Sequence, residues 1–70
     1  MDKTPEQLAL EALNEAIQKG GGIVKFAKTL GVTISAIQQW RSRGTPPKRA
    51  KEIEAATGVS RARLAPDVYA

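Results

Sequence analysis

Glycine and proline residues divide this 70-residue chain into short segments, and that division constrains its fold more than any other feature. The breaks fall at residues 20–22, Gly31, Gly44, residues 46–47 and Gly58. The segments between them carry apolar residues at helical spacing and lack the apolar–polar alternation that indicates strands. The sequence therefore predicts an all-α fold, a small bundle of four to five short helices in one domain of residues 1–70.

Capping signals set where the predicted helices begin. Thr4, Pro5 and Gln7 combine an N-cap, a first-turn proline and a capping box, so a helix is expected from Pro5. Thr33 is a second good N-cap, and Pro47 suits the first position of a further helix. The predicted helices span about 5–19, 23–30, 34–43 and 47–57, with a short helical turn at about 61–64.

Apolar residues that recur every three or four positions predict the buried side of each helix. Trp40 shares a stripe with Ile37, so it is predicted to lie in the core rather than to stack on a base. Tyr69 is expected to pack against the core or across a dimer, and the glycines at 20–22 are interpreted as a plain linker. The predicted inward-facing residues of the first two helices are Leu10, Leu13, Ile17, Val24, Ala27 and Leu30.

Two residue types that are common in catalytic and metal sites are missing from the sequence. It contains no Cys and no His, which removes disulfides, the commonest zinc ligands and the usual general base. Glu52 and Glu54 are two positions apart on a predicted helix, so their carboxylates do not face each other. We therefore expect a protein that is not an enzyme and that has no cofactor, no metal and no small-molecule ligand.

Positive charge is concentrated in the middle of the chain. Residues 23–51 hold seven of the 11 Lys and Arg residues and none of the seven Asp and Glu residues. One block of a single sign is typical of proteins that bind polyanions, although a solvated basic surface is the alternative interpretation. The cations of this block are Lys25, Lys28, Arg41, Arg43, Lys48, Arg49 and Lys51.

Residues 23–44 within that block read as a helix-turn-helix. The two predicted helices are separated by Gly31, Val32 and Thr33, a turn length that brings consecutive helices together at a steep angle. Gly31 can adopt the positive φ that such a turn needs. Ala27 is small enough to lie where the two helices approach. The spacing thus predicts a unit that presents its second helix to the major groove of DNA.

The exposed face of that second helix is expected to be polar and uncharged at its centre. A projection at the helical period puts Ser35, Gln38 and Gln39 opposite Ile37. Gln and Ser can hydrogen-bond base edges, and Ile34 at the border could contact a thymine methyl group. Contacts to phosphate are expected from Lys25, Lys28, Arg41, Ser42, Arg43 and Lys48.

The run AKTLGVTISAIQQW, followed by SRG, resembles the helix-turn-helix of Cro-type phage repressors. The C-terminal half, with RAKEIEAATGVSRARLAPDVY, is similar to the all-helical prophage-encoded Cro-like or YdaS-type regulators, so the resemblance covers about residues 8–70. It implies a lambda-repressor-like fold. Some Cro proteins end in a β-hairpin, but here Pro47 starts a predicted helix and the tail shows no strand alternation, so no hairpin is expected. The resemblance also implies that the base-reading positions are Thr33, Ile34, Ser35, Gln38 and Gln39. Ile34 and Gln39 depart from the Gln or Lys that the family often has there, so the operator is not transferable.

These observations predict a sequence-specific DNA-binding transcriptional regulator, a Cro-like repressor whose partners are double-stranded DNA and a second copy of itself. A weak or DNA-induced homodimer would place two recognition helices about 34 Å apart, one turn of DNA. No apolar run approaches the roughly 20 residues of a membrane span, and the N-terminus shows no signal-peptide pattern. We therefore expect no membrane partner and a cytoplasmic protein that is nucleoid-associated when bound to DNA.

Two other functions remain open at this point. The fold could serve as a protein-interaction module, antitoxin-like or an adaptor, since fold alone does not fix function. Such a module would have no reason to keep residues 23–51 free of acids. RNA binding is the weaker alternative, because sequence-specific RNA readers usually offer an aromatic stacking platform. Phe26, Trp40 and Tyr69 do not form one in the predicted arrangement.

Overall fold

The computed structural model describes residues 2–69, and these form helices joined by short turns. The helices are α1 (Pro5–Lys19), α2 (Ile23–Leu30), α3 (Ile34–Arg43), α4 (Pro47–Thr57), α5 (Arg61–Leu64) and α6 (Pro66–Tyr69). The predicted all-α fold is confirmed, with no strand among the described residues. Residues 2–69 form six helices rather than four or five, because the last turn, α6, begins at a proline that the sequence analysis did not assign to a helix.

Side-chain caps account for the starts of three helices. The Thr4 hydroxyl accepts a hydrogen bond from the Gln7 amide at 3.2 Å, and the Gln7 side chain accepts one from the Thr4 amide at 2.8 Å. Thr33 caps α3 through the amide of Ala36, and Ser60 caps α5 through that of Ala62. Each cap satisfies a backbone N–H that would otherwise lack a helical partner, which fixes the start of the helix.

The core differs from the predicted stripes in the first two helices. Leu10 is 37% exposed and Val24 is 54% exposed, so the expectation that both face inward is wrong. Ala12 and Phe26 are buried instead: α1 packs against α5, and α2 buries the large area of its aromatic ring. The buried apolar residues are Ala12, Leu13, Ala16, Ile17, Phe26, Ala27, Ile37, Trp40, Ala50, Ile53, Val59, Leu64 and Ala65.

Gly20 has a more specific role than the plain linker that the sequence suggested. A Cβ atom at this position would lie 2.8 Å from Cδ1 of Phe26 and 3.3 Å from the carbonyl oxygen of Ala16. Glycine is therefore needed where the end of α1 meets the aromatic ring that α2 contributes to the core. This contact is one of those that hold α2, the first helix of the helix-turn-helix, against the rest of the chain.

An ion pair joins α5 to α1 over a long stretch of sequence. Arg63 donates a hydrogen bond to Glu15 at 2.8 Å, and Lys19 lies 3.9 Å from the same carboxylate. The hydrogen bond from Arg63, assisted by the charges of Arg63 and Lys19, lowers the pKa of Glu15 below its ordinary value. A carboxyl whose pKa is lower in the folded chain than in the unfolded one stabilises the fold above its unfolded pKa.

That stabilisation should disappear as pH falls through the lowered pKa of Glu15. We expect Glu15→Gln to flatten the acidic limb of the stability profile, because the variant has no carboxylate to protonate there. Chemical unfolding at stepped acidic pH values measures the effect, and Arg63→Gln should flatten the same limb by removing the partner. Equal slopes in the parent and both variants would contradict this assignment.

Candidate nucleic-acid interface

The turn between α2 and α3 has the backbone that a helix-turn-helix requires. Gly31 lies in the left-handed region with φ 69° and ψ 34°, a conformation that side chains other than glycine adopt at a cost. Its amide donates to the carbonyl of Lys28, and the amide of Val32 donates to that of Ala27 at 3.0 Å. Thr33 then caps α3, so the reversal from one helix to the next takes three residues.

The side of α3 that faces the protein is apolar and well buried. Ile37 is fully buried and Trp40 is 8% exposed, which confirms the prediction that Trp40 lies in the core. Ala27 of α2 is buried beside them, and Leu30 and Val32 pack against the same cluster. Because this packing fixes the rotation of α3 about its own axis, it also determines which side chains point away from the protein.

The residues expected to read bases all lie on the solvent side at the start and outer face of α3. They are Thr33, Ile34, Ser35, Gln38 and Gln39, and every one is exposed. Ile34 is 41% exposed and is one of five large hydrophobic side chains exposed among residues 2–69. The structure therefore brings these five residues together on one surface.

Two of those residues already make hydrogen bonds within the chain. The hydroxyl of Thr33 accepts from the amide of Ala36 at 3.1 Å, which leaves its proton available to another acceptor. The side-chain oxygen of Gln38 accepts from Arg41 at 3.3 Å. Hydrogen bonds on an exposed surface contribute little net stability, so a base edge could replace Arg41 as the partner of Gln38.

Ion pairing separates the cations of the chain into two groups. Five are paired with carboxylates, namely Lys3, Lys19, Arg49, Arg61 and Arg63. Within residues 2–69 the other six make no ion pair, namely Lys25, Lys28, Arg41, Arg43, Lys48 and Lys51. All six are exposed and all come from residues 23–51. Unneutralised positive charge is thus concentrated on the helix-turn-helix and the start of α4.

The predicted phosphate-contacting residues fall in this second group, apart from Ser42. Its hydroxyl lies 3.4 Å from the backbone oxygen of Gln38, a long contact that a stronger acceptor could displace. Arg49 belongs to the basic stretch of the sequence, but it forms an ion pair with Glu52 at 2.7 Å. Its positive charge is therefore largely neutralised. Its i,i+3 spacing from Glu52 was a signal that could have indicated this pair.

The described part of the chain holds no cluster of His, Cys, Asp or Glu suited to a metal ion. Among the same residues, no helix combines the length and the apolar character needed to cross a membrane. What the surface around α3 offers is hydrogen-bonding side chains bordered by positive charge. Such a surface can bind a polyanion and make directional contacts to groups between its charged edges.

Comparisons with known proteins agree with this geometry. The sequence model of the family described as bacterial toxin YdaS matches residues 13–70. The Cro protein from the prophage element Xfaso 1 of Xylella fastidiosa strain Ann-1 has a similar structure, with a TM-score of 0.79 and 40% sequence identity. The similarity covers 84% of this chain and 95% of that one. No curated protein matches the chain. The predicted resemblance is thereby confirmed: the chain belongs to the YdaS family and is a Cro-like helix-turn-helix protein.

Proposed function

We propose that this protein is a sequence-specific DNA-binding transcriptional regulator, a Cro-like repressor that binds its operator as a homodimer. One observation supports the proposal above the others: within residues 2–69 the six cations without a carboxylate partner all lie on α2, α3 and α4 between Lys25 and Lys51, while the cations outside that stretch are paired. Charge that served only solubility would have no reason to be arranged in this way. The Cro-like fold supports a regulator rather than an enzyme.

In the proposed complex, α3 lies in the major groove with its outer face toward the base edges. Gln38 and Gln39 would form hydrogen bonds to bases, with adenine as the partner best suited to a bidentate contact. Ser35 and Thr33 would contact bases or nearby backbone at the start of the helix. Ile34 would pack on a thymine methyl group, which gives its exposed apolar side chain a function.

Contacts to phosphate would set the register of the protein on the duplex. Lys25 and Lys28 on α2 would bind one edge of the groove. The residues after the reading face would bind the other, namely Arg41, Ser42, Arg43 and Lys48. Each phosphate neutralised releases bound counterions, so affinity should fall steeply as salt rises. Two copies bound to half-sites about 34 Å apart would cover an operator and occlude a promoter.

Selection of binding sites from random duplexes, repeated at two salt concentrations, tests this function. We expect a recurring sequence with dyad character that survives at the higher salt. A protein-interaction module, antitoxin-like or an adaptor, would enrich no sequence and would bind duplexes no better than an uncharged helical protein does. A cytoplasmic, nucleoid-associated location follows from the proposal, and imaging of a tagged chain in cells checks it.

Lys28→Ala should weaken binding to all duplexes alike and reduce the salt dependence of affinity by about one unit. The reason is that Lys28 is exposed, has no ion pair within residues 2–69 and lies on α2 beside the recognition helix. The measurement is the slope of log affinity against log salt. Lys19→Ala is the matched control, because Lys19 lies near Glu15 outside the interface and should leave the slope unchanged. Equal slopes for Lys28→Ala and the parent would remove Lys28 from the contacts.

A further inference from the structure

The start of α4 lacks the side-chain cap that fixes the starts of α1, α3 and α5. Its N-cap is Pro46, and within residues 2–69 no side chain forms a capping hydrogen bond there. Pro47, the first helical residue, has no N–H of its own. Lys48 follows at once and is exposed, and it is one of the residues proposed above to contact phosphate. Whatever holds the first turn of α4 therefore also sets where Lys48 projects.

A side chain from the last helix holds this turn. The hydroxyl of Tyr69 in α6 donates a hydrogen bond to the carbonyl oxygen of Pro47 at 3.1 Å, and the two residues are 22 positions apart in sequence. Because the bond ends on a carbonyl, it does not cap a free N–H but anchors the backbone of the first turn to α6. The start of α4 is thus fixed by a long-range contact instead of a local one.

Contacts from α5 and the core keep the Tyr69 ring in place. The guanidinium of Arg61 lies 5.5 Å from the ring centre, within range of a cation–π interaction. The same guanidinium has its Nε atom 2.9 Å from Oε1 of Glu54 in α4. Tyr69 also packs against the hydrophobic core of its own chain, one of the two placements that the sequence predicted. The ring is therefore not free to swing, and its hydroxyl has a defined direction.

The hydroxyl of Tyr69 contributes little to the stability of the fold. Its ring is half-buried, whereas its hydrogen bond to Pro47 lies on the exposed surface. Exposed hydrogen bonds replace similar bonds to water, so their net contribution to stability is small. A phenylalanine would supply the same packing and the same aromatic face for Arg61. What the hydroxyl adds is a fixed position for the start of α4.

We infer that Tyr69 is a positioning residue for DNA binding, whose hydroxyl holds the first turn of α4 so that Lys48 lies against the phosphate backbone. The inference rests on the proposed function, since Lys48 is a phosphate contact of that complex. A side chain whose backbone is held in place before DNA arrives has less freedom to lose on binding. The affinity of the helix-turn-helix therefore depends on a residue of α6 that acts through α4 and does not itself contact DNA.

Tyr69→Phe isolates the hydroxyl, because it keeps the ring and the contact of the ring with Arg61. The probe is a short duplex of random sequence, since phosphate contacts carry no sequence information. At a temperature where both proteins are fully folded, the variant should bind about two- to tenfold more weakly, the factor that one exposed hydrogen bond can supply. The salt dependence of log affinity should fall by up to about one unit, for the single phosphate that Lys48 neutralises. The affinity and the slope of the parent in Tyr69→Phe would overturn the inference.

Thr57→Val is the matched control, because it also removes one hydroxyl that donates to a carbonyl of the chain. Thr57 bonds to the carbonyl oxygen of Ile53 at 2.9 Å, at the end of α4 away from Lys48. Its loss should lower the stability of the fold while leaving the affinity of the folded protein unchanged. An equal loss of affinity in Tyr69→Phe and Thr57→Val would show that any weakening of α4 has this effect, and would overturn the specific role of Tyr69.

A double-mutant cycle tests whether Tyr69 acts through Lys48. In a Lys48→Ala background, Tyr69→Phe should cause no further loss of affinity, because the side chain that it positions is gone. In a Lys28→Ala background the full loss should remain, since Lys28 lies on α2 and does not depend on the first turn of α4. Losses of the same size in both backgrounds would overturn the proposed coupling between Tyr69 and Lys48.

Amide hydrogen exchange without DNA gives a readout that does not depend on binding. The Ala50 amide donates to the carbonyl of Pro46 at 2.9 Å in the first turn of α4, and Ala16 in the fully buried part of α1 is the reference. Tyr69→Phe should speed exchange at Ala50 more than at Ala16. Equal changes at the two amides would overturn the anchoring. A parent that binds no duplex would overturn the proposed function and the positioning role together, whereas a parent and a Tyr69→Phe variant that bind equally well would overturn the positioning role alone.

Discussion

Trp40→Ala is expected to unfold the domain. Trp40 is 8% exposed and lies in the core beside Ile37, so its truncation removes a large apolar contact and leaves a cavity. Truncations of this kind cost roughly 3–5 kcal/mol. A domain of this length has a total stability of roughly 4–10 kcal/mol at the usual value per residue, so the loss is a large share of the whole. Thermal unfolding followed by circular dichroism measures the effect.

Two further variants sharpen this test. Trp40→Phe keeps most of the apolar volume and should lose much less stability than Trp40→Ala. Gln39→Ala changes the neighbouring exposed residue and should melt close to the parent temperature. A cooperative transition of Trp40→Ala near that of the parent would show that the indole is not part of the core.

The all-α class was predictable from the sequence because local chemistry specifies it. Caps such as Thr4 and Thr33 act within one turn, and the left-handed conformation of Gly31 is one that glycine alone adopts readily. Burial in the first two helices was less predictable. Leu10 and Val24 fit their helical stripes as well as the residues actually buried, and only the position of α5 and the ring of Phe26 decide between them.

The candidate site was predictable in its residues but not in its electrostatic arrangement. A helical projection was enough to place Gln38 and Gln39 on the side opposite Ile37, since that depends only on the period of the helix. Which cations of residues 2–69 keep no carboxylate partner depends on tertiary ion pairs such as Arg63 with Glu15, which are 48 residues apart in sequence. No pattern in the sequence indicates contacts at that separation.

Gln38→Ala should change which operator sequence the protein prefers while leaving the fold intact. Gln38 is exposed on the outer face of α3, so removing its side chain costs little stability. A lost bidentate contact to a base is worth roughly 1–3 kcal/mol of discrimination, which corresponds to a fall of about 5- to 150-fold in affinity for the preferred site. Selection from random duplexes, followed by competition binding with single-base variants, identifies the position that Gln38 reads.

Arg41 makes that experiment more informative. In the free protein Arg41 donates a hydrogen bond to the side-chain oxygen of Gln38. A contact between Gln38 and a base therefore requires either that this bond breaks or that it holds the Gln38 amide in the orientation that the base needs. Gln38→Ala leaves the Arg41 guanidinium without this acceptor. The operator position that Gln38 reads should then accept guanine more often, because guanine is the base that arginine binds best. Gln18→Ala, an exposed glutamine on α1, is the control that should select the parent sequence. If Gln38→Ala also selects the parent sequence, Gln38 does not read a base, and specificity must come from the other exposed residues of α3.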